Sequence, residues 1–139
     1  MRVEDMLLRE EGFVPHAYQD PLGYWTIGIG RLIDKRKGGR VSKDEALFLL
    51  RNDIDEVKRG LDENIPWWQG LKPVRQAVLI SMAFQMGVAG LLKFKRTLQA
   101  VKDGDFEKAA KGMRGSLWAR QTPGRAERHA RQMETGRWH

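Results

Sequence analysis

The sequence predicts an α+β fold, with a small antiparallel β lobe and a larger helical lobe joined by a long helix. Two observations carry this prediction: residues 13–33 combine turn signals with strand-like alternation, and helical periodicity dominates from residue 43 onward. Such segregated elements are typical of α+β folds, and a cleft between two lobes is a natural ligand site. We expect a single domain over 1–139, comprising a β lobe at 13–41, a linking helix at 43–61, and a helical lobe at 62–139 that includes the N-terminal helix.

The first predicted helix covers residues 3–11 and ends at Gly12, a typical helix terminator. Glu11 occupies its last position, where a carboxylate opposes the helix dipole. A general acid at this position would also need to be desolvated. Taken alone, a Glu at such a position is nearly always an ordinary surface residue, here beside Glu10, so its position only nominates it as a candidate.

Residues 13–33 are predicted to form β structure with tight turns. Residues 20–23 read Asp-Pro-Leu-Gly, which are the residue types that a type I turn favours at its first, second and fourth positions. An Asp that heads such a turn usually accepts hydrogen bonds from the turn backbone. The functional alternative is that Asp20 is a second carboxylate, held rigidly by the turn and facing the end of the first helix.

Thr26 is predicted to lie on the strand that follows this turn. The alternation places Thr26 on the same face as Tyr24, Gly28 and Gly30, where the glycines leave the backbone open to close approach. A hydroxyl on such a bare face could hold a water molecule or a sugar. A Thr that simply favours β structure on a solvated face fits the same pattern.

The linking helix has a clear start. Ser42 and Glu45 form a capping box, and the apolar residues that follow recur every three or four positions. The stripe consists of Leu47, Leu50, Ile54, Val57 and Leu61. Before it, residues 35–40 are predicted to form a basic, Gly-containing loop.

The rest of the chain is predicted to be helical. Residues 65–72 are expected to form a loop, after which Pro73 begins a helix that is apolar nearly all round and ends at Gly87. Shorter helices should follow, punctuated by Gly90, Gly104, Gly112 and Gly115. The last helix is predicted to be capped by Thr122, to begin at Pro123 and to end at Gly136.

The composition narrows the classes of partner. The net charge is +7 and the isoelectric point is about 10.0, which favours a polyanion: nucleic acid, an anionic membrane or an anionic wall polymer. There are no cysteines, so thiol chemistry is excluded. We see no signal peptide and no apolar run near the roughly 18 residues of a membrane span, so we expect a soluble, unsecreted chain.

Other chemistry receives little support from the sequence. His16, His129 and His139 are scattered without metal-ligand spacing, so we expect no metal site and no cofactor. Neither Ser42 nor Ser81 shows a plausible His/Asp constellation. An Arg-rich last third with Trp118 and Trp138 could attract nucleic acid, a cell wall or a membrane, or could simply be a solvated helix face.

Several motifs in order resemble the phage-type lysozymes, the endolysin muramidases. Glu-Gly at 11–12, Asp20 and Thr-Ile-Gly-Ile-Gly at 26–30 resemble the catalytic signature of that family. The likeness continues through Ser-Lys-Asp-Glu-Ala at 42–46 and Phe-Gln-Met-Gly at 84–87. It ends with Trp118, Gln-Thr-Pro at 121–123 and Arg-Ala at 125–126. The ordered set is far more specific than any single motif.

The resemblance implies a lysozyme-like fold and hydrolysis of the β-1,4 bond between N-acetylmuramic acid and N-acetylglucosamine in peptidoglycan. Glu11 would be the general acid, and Asp20 with Thr26 would activate or place water, which predicts inversion. Further positions align with the substrate cleft of the family: Leu32, Phe84, Gln85, Thr97 and Arg125. Members of the family commonly wait in the host cytoplasm for a holin before they lyse the cell, and we expect the same here. We also expect a monomer that binds no nucleic acid.

Three features depart from the family pattern. Arg31 stands where the family usually has His, the stretch from Leu32 to Ser42 is short, and Gly112 replaces an expected polar cleft residue. These departures affect local stability, the size of the β lobe and one sugar contact.

Two other functions remain open at this stage. A lytic transglycosylase needs one acid but no water-activating Asp, and it leaves a 1,6-anhydro sugar. A non-catalytic basic protein that binds wall polymer or nucleic acid would need only the charge and the Trp/Arg-rich tail. In addition, the cationic segment from Arg120 to Arg137 could itself disturb anionic membranes or the outer-membrane lipid.

Overall fold

The computed structural model describes residues 2–35 and 37–139. It contains three strands and seven α-helices within these residues, in the order that the α+β prediction requires. The chain forms two compact units, one up to Leu49 and the other from Leu50 to His139. The boundary falls inside the second helix, α2 (Lys43–Asn64).

The first unit contains the first helix and a small sheet. Helix α1 (Val3–Glu11) is followed by strands β1 (Val14–Gln19), β2 (Trp25–Gly28) and β3 (Arg31–Leu32). The strands are antiparallel in the order β1-β2-β3, and Thr26 in the middle strand pairs with Tyr18 on one side and Leu32 on the other. The predicted β region is therefore confirmed as a short meander.

Helix α1 has the predicted bounds. Asp5 accepts a hydrogen bond from the backbone N–H of Arg2 at 3.1 Å, which satisfies a donor at the helix start. Gly12 follows the last residue with φ at 73°, a conformation that residues with a side chain rarely adopt, and its N–H donates to Leu8 at 2.8 Å. Together these contacts define both ends of the helix, and Glu11 is its last residue.

The capping box of α2 is confirmed. The N–H of Glu45 donates to Oγ of Ser42, and the N–H of Ser42 donates to Oε1 of Glu45, both at 3.1 Å. Glu45 also pairs with Arg31 at the start of β3, so this helix start is tied to the sheet. In the predicted basic loop, Arg40 lies 3.8 Å from Asp34, whereas Arg36 lies outside the described residues.

The second unit begins with the rest of α2, which ends three residues later than predicted. The predicted loop at 65–72 is wrong in part, because Pro66–Gly70 form a 3₁₀ helix. Pro66 presets the first turn, and the N–H of Trp68 donates to the carbonyl of Ile65 at 2.9 Å. The Trp68 indole N–H donates to Asp62 at 2.7 Å, which anchors this turn to α2.

Helix α3 (Pro73–Leu92) corrects two expectations. Gly87 does not end it: its φ of 78° and ψ of 156° interrupt the helix, but the helix resumes and places Leu91 in the core. The helix also has the length and hydropathy of a membrane span, contrary to our reading of the apolar runs. Its side chains Val78, Leu79 and Met82 are at most 1% exposed inside the core, as expected of a central helix in a folded unit.

Four further helices complete the second unit: α4 (Lys95–Lys102), α5 (Phe106–Arg114), α6 (Leu117–Gln121) and α7 (Pro123–Thr135). Gly104 and Gly115 separate helices as predicted, but Gly90 and Gly112 lie inside them. Thr122 does not cap α7 with its side chain, because its hydroxyl donates to the carbonyl of Trp118 at 3.0 Å. Gly136 ends α7 in the left-handed conformation, as expected.

The core of the second unit is apolar except at its edges. Buried side chains from α2 to α7 form one cluster that includes Leu61, Leu79, Met82, Leu91, Met113 and Met133. At one edge Arg75 donates to the carbonyls of Met133 and Glu134 at 2.7 and 3.2 Å, and its guanidinium lies 3.6 Å from the ring centroid of Phe106. Burial of Arg75 lowers the pKa of its guanidinium. These contacts bind the end of α7 to α3 and α5.

Candidate active site

Glu11 is the last residue of α1, and its side chain is exposed. Its carboxylate lies directly over the backbone of Gly30, which sits in the turn between β2 and β3. The exposure means that the desolvation required of a general acid near neutral pH is not provided within this unit. A bound substrate would have to supply it.

Gly30 is required at this position for two reasons. Its φ is 61°, in the left-handed region that favours glycine. A Cβ on Gly30 would lie 2.7 Å from Cδ of Glu11, closer than real Cβ contacts come. The last glycine of the Thr-Ile-Gly-Ile-Gly motif therefore makes room for the candidate acid.

Asp20 heads the predicted turn between β1 and β2. The N–H of Gly23 donates to its carbonyl at 2.9 Å, which is the hydrogen bond of the turn. Its side-chain Oδ1 accepts from the N–H groups of Leu22 and Tyr24, both at 2.9 Å. Its Oδ2 accepts no hydrogen bond from the part of the chain that the structure describes. The turn thus holds one carboxylate oxygen and leaves the other available.

Tyr24 links Asp20 to Thr26, and sequence reasoning missed this role. Its carbonyl accepts from the N–H of Asp20 at 2.8 Å and from Oγ1 of Thr26 at 3.3 Å, while its own N–H donates to Asp20. The link uses only backbone atoms of Tyr24, so its side chain gives no sequence signal. The one available signal was its place directly after the turn.

The alternation of the strand left open that Thr26 lies on a solvated face, and the structure shows that it does not. It is only 6% exposed, at the centre of the three-stranded sheet. Its hydroxyl oxygen can still accept a hydrogen bond while it donates to Tyr24. Leu32 lies opposite Thr26 in β3 and is 43% exposed, which suits a contact with a ligand.

Three of the other predicted substrate residues gather in the second unit. Phe84 and Arg125 line a cavity of about 380 Å³ with apolar side chains and Lys58. Gln85 is exposed, and its Oε1 accepts from the indole N–H of Trp118 at 2.9 Å. These placements are compatible with substrate contacts, which nevertheless stay predictions.

Thr97 is placed differently from the other predicted substrate residues. It is 9% exposed, and a Cβ on Gly112 would clash with its Oγ1. Thr97 therefore fills the space that Gly112 leaves between α4 and α5. This burial favours a packing role over the predicted substrate contact.

The sequence predicted no His/Asp constellation around Ser81, and the structure places a histidine there but no carboxylate among the described residues. Oγ of Ser81 lies 2.7 Å from Nε2 of His129, although the two residues are 48 positions apart. No carboxylate completes a triad, because Nδ1 of His129 is buried without a partner among the described residues. Instead, Arg125 donates to the Ser81 hydroxyl at 2.8 Å, which is not the environment of an activated nucleophile.

The comparisons with known proteins decide the family. The phage lysozyme family model matches residues 8–132, which includes all three candidate catalytic positions. The chain belongs to the phage lysozyme family. It is therefore a lysozyme-type glycoside hydrolase, and its fold is the α+β arrangement of lysozymes.

The curated relatives of this lysozyme differ greatly in length. It is 38% identical to the pre-baseplate central spike protein Gp5 of Enterobacteria phage T4, over 92% of this chain and 27% of that protein. It is 32% identical to the probable T4-type lysozyme 1 of Dictyostelium discoideum, over 96% of this chain and 94% of the relative. It is also 32% identical to the peptidoglycan hydrolase gp36 of Pseudomonas phage phiKMV, over 91% of this chain and 14% of that protein.

One departure from the lysozyme pattern now has a structural account. Arg31, which replaces the usual His, pairs with Glu45. The Glu45 pKa is lowered by the backbone and hydroxyl hydrogen bonds of Ser42 and then by Arg31. The arginine at this position thus stabilises the start of α2.

Proposed function

We propose that this lysozyme is an endolysin that hydrolyses the β-1,4 bond between N-acetylmuramic acid and N-acetylglucosamine in bacterial peptidoglycan. Family membership and the peptidoglycan hydrolase among its relatives support the substrate class. The observation that carries the bond-cleaving chemistry is the state of Asp20: one oxygen is held by two amides and the other is available.

In this mechanism Glu11 is the general acid. Its proton passes to the glycosidic oxygen as the bond between that oxygen and the anomeric carbon breaks, leaving an oxocarbenium-like centre. Glu11 lies at the end of α1 with its carboxylate in the space that Gly30 leaves, and its exposed side chain is accessible to a substrate. Binding of the glycan would displace water from this exposed side chain.

Asp20 and Thr26 activate and orient the attacking water. Oδ2 of Asp20 accepts a proton from the water while the water oxygen bonds to the anomeric carbon. The Thr26 hydroxyl, joined to Asp20 through the backbone of Tyr24, accepts the other water hydrogen and fixes its direction. Attack from the face opposite the leaving group inverts the anomeric configuration.

The rivals explain fewer of these features. A lytic transglycosylase needs the acid but has no use for a fixed carboxylate beside a hydroxyl. A basic wall-binding protein that lacks catalysis needs neither. The setting that we propose is host cell lysis, with release from the host cytoplasm by a holin, and a monomer as the working form.

The role of Glu11 can be tested with a neighbouring control. Glu11→Gln keeps the shape of the side chain but removes the acid, so we expect peptidoglycan clearing to slow by about 10²- to 10⁴-fold. Glu10→Gln is the matched control, since Glu10 is exposed and its side chain contacts only Arg9 at 3.3 Å among the described residues. Clearing by Glu11→Gln at the rate of Glu10→Gln would contradict the assignment.

A further inference from the structure

A polar network runs through the second unit between α3 and α7. Nη2 of Arg125 donates to Oγ of Ser81 at 2.8 Å and to its carbonyl at 3.1 Å, and Oγ of Ser81 lies 2.7 Å from Nε2 of His129. The ring centroid of His129 lies 6.0 Å from that of Trp118, whose N–H binds Gln85. The network therefore joins Arg125 and Gln85, two residues that we predict contact the substrate.

The hydrogen-bond direction between Arg125 and Ser81 follows from their chemistry. A guanidinium only donates, so Oγ of Ser81 accepts from Arg125 and its own proton is free to donate to Nε2 of His129 when that nitrogen carries no proton. In this arrangement His129 is neutral, with its proton on Nδ1. A chain of donors in a partly buried place polarises each member and strengthens the hold on the charged end.

We propose that Ser81 and His129 are positioning residues that orient the Arg125 guanidinium for contact with the substrate. Nη2 is occupied by Ser81, whereas Nε and Nη1 of Arg125 meet no acceptor among the described residues. Arg125 lines the cavity that it shares with Phe84 and Lys58. An acceptor oxygen of the glycan or of its peptide can bind there. The inference rests on the proposed hydrolase function and on the predicted contact of Arg125.

The charges around His129 support a neutral ring. Burial lowers the pKa of His129, and Arg125 and Arg128 on its own helix lower it further. Helices α3 and α6 present the neutral Ser81 and Trp118 to the ring, and Lys58 of α2 lines the adjoining cavity. Protonation would make Nε2 a second cationic donor to an oxygen that already accepts from Arg125, so the hold on Arg125 should weaken in acid.

The test uses three variants and soluble glycan strands as substrate. Ser81→Ala removes the acceptor, His129→Phe keeps an aromatic ring against Trp118 but removes Nε2, and Ser81→Thr restores the hydroxyl. We expect Ser81→Ala and His129→Phe to raise KM about tenfold with a smaller change in kcat, because a hydrogen bond to a charged group is lost. Ser81→Thr should recover most of the affinity.

A double-mutant cycle separates positioning from packing. In an Arg125→Met background, Ser81→Ala should leave KM unchanged, since the residue through which Ser81 acts is gone. Additive effects in the cycle would overturn the proposal.

The pH dependence of KM is a further test. The wild type should lose affinity for the substrate as the pH falls through the pKa of His129, which lies below the ordinary value of 6.5. His129→Phe should lack this pH dependence.

A measurement that does not depend on enzyme activity separates this inference from the proposed function. The NMR signal of the Arg125 Nε–H should report an ordered side chain in the wild type and a mobile one in Ser81→Ala. An equally ordered Arg125 in both proteins would overturn the positioning role. If the wild type is inactive but Ser81→Ala still shows the expected loss of order at Arg125, only the proposed hydrolase function is overturned.

Discussion

At the scale of single residues, the two carboxylate oxygens of Asp20 differ in their contacts. Oδ1 closes the turn by accepting from Leu22 and Tyr24, and Oδ2 is left available for the chemistry that we propose. The structural and functional interpretations of this Asp, which compete at the level of sequence, are therefore compatible. Each task belongs to a different atom, so different substitutions can separate them.

Asp20→Asn and Asp20→Ala should behave differently. Asn keeps an acceptor oxygen for both amides, so we expect a change of less than about 0.5 kcal/mol in the free energy of unfolding. It cannot take a proton from water, so clearing should fall by about 10²- to 10⁴-fold. Ala should lose the same activity and also about 1–3 kcal/mol of stability.

Urea unfolding and a peptidoglycan clearing assay together measure both effects. An Asp20→Asn protein with wild-type clearing would refute the water-activating role. An Asp20→Asn protein as unstable as Asp20→Ala would refute the division of tasks.

Gly30 is the second residue whose role can be measured. Gly30→Ala places a Cβ against Glu11 at a φ of 61°, so we expect about 1–2 kcal/mol of lost stability and a loss of clearing as Glu11 is displaced. Gly38→Ala is the control, because a Cβ there meets nothing within 4 Å. Equal stability and clearing in the two variants would show that Glu11 is placed by something else.

At the scale of elements, the start of α2 is stabilised by its capping box and by one ion pair. The Glu45 pKa lies below its ordinary value of 4.5. A carboxylate with a lowered pKa stabilises the fold above its unfolded pKa, and this stabilisation is lost as the pH falls through the folded pKa. Glu45 therefore makes the first unit sensitive to acid.

Glu45→Gln should make this sensitivity visible. The difference in unfolding free energy between wild type and Glu45→Gln should be largest near neutral pH and should shrink as the pH falls below about 4.5. Urea unfolding between pH 3 and pH 7 measures it. Glu56→Gln, on an exposed position of the same helix, should show no such trend. A pH-independent difference for Glu45→Gln would contradict the assigned ion pair and cap.

Elements with explicit terminal signals were predictable from the sequence. The capping box of Ser42 and Glu45 and the glycines at 12 and 136 gave the right ends because each acts through bonds within a few residues. The prediction that Gly87 ends the helix was wrong because a helix can resume after one non-helical residue when the next turn buries a side chain such as Leu91. Signals within a few residues of the helix end carry no information about this stabilisation by tertiary packing.

At the scale of the whole molecule, the order of motifs predicted the fold class correctly and nominated the candidate catalytic positions. It did not predict the contacts between distant segments. Ser81 and His129 are 48 positions apart, and Arg75 binds the carbonyl of Met133 across 58 positions. The burial of Thr26 likewise depends on strand pairing that alternation alone leaves open.

The central claim is hydrolysis that uses Glu11 and Asp20, and the ends of the released fragments test it most directly. Purified Gram-negative peptidoglycan would be digested with the folded wild type and with Asp20→Asn, and the products identified by mass spectrometry. We expect ordinary reducing N-acetylmuramic acid ends from the wild type and almost no product from the variant. Fragments with 1,6-anhydro ends, or no fragments at all from the wild type, would contradict the account.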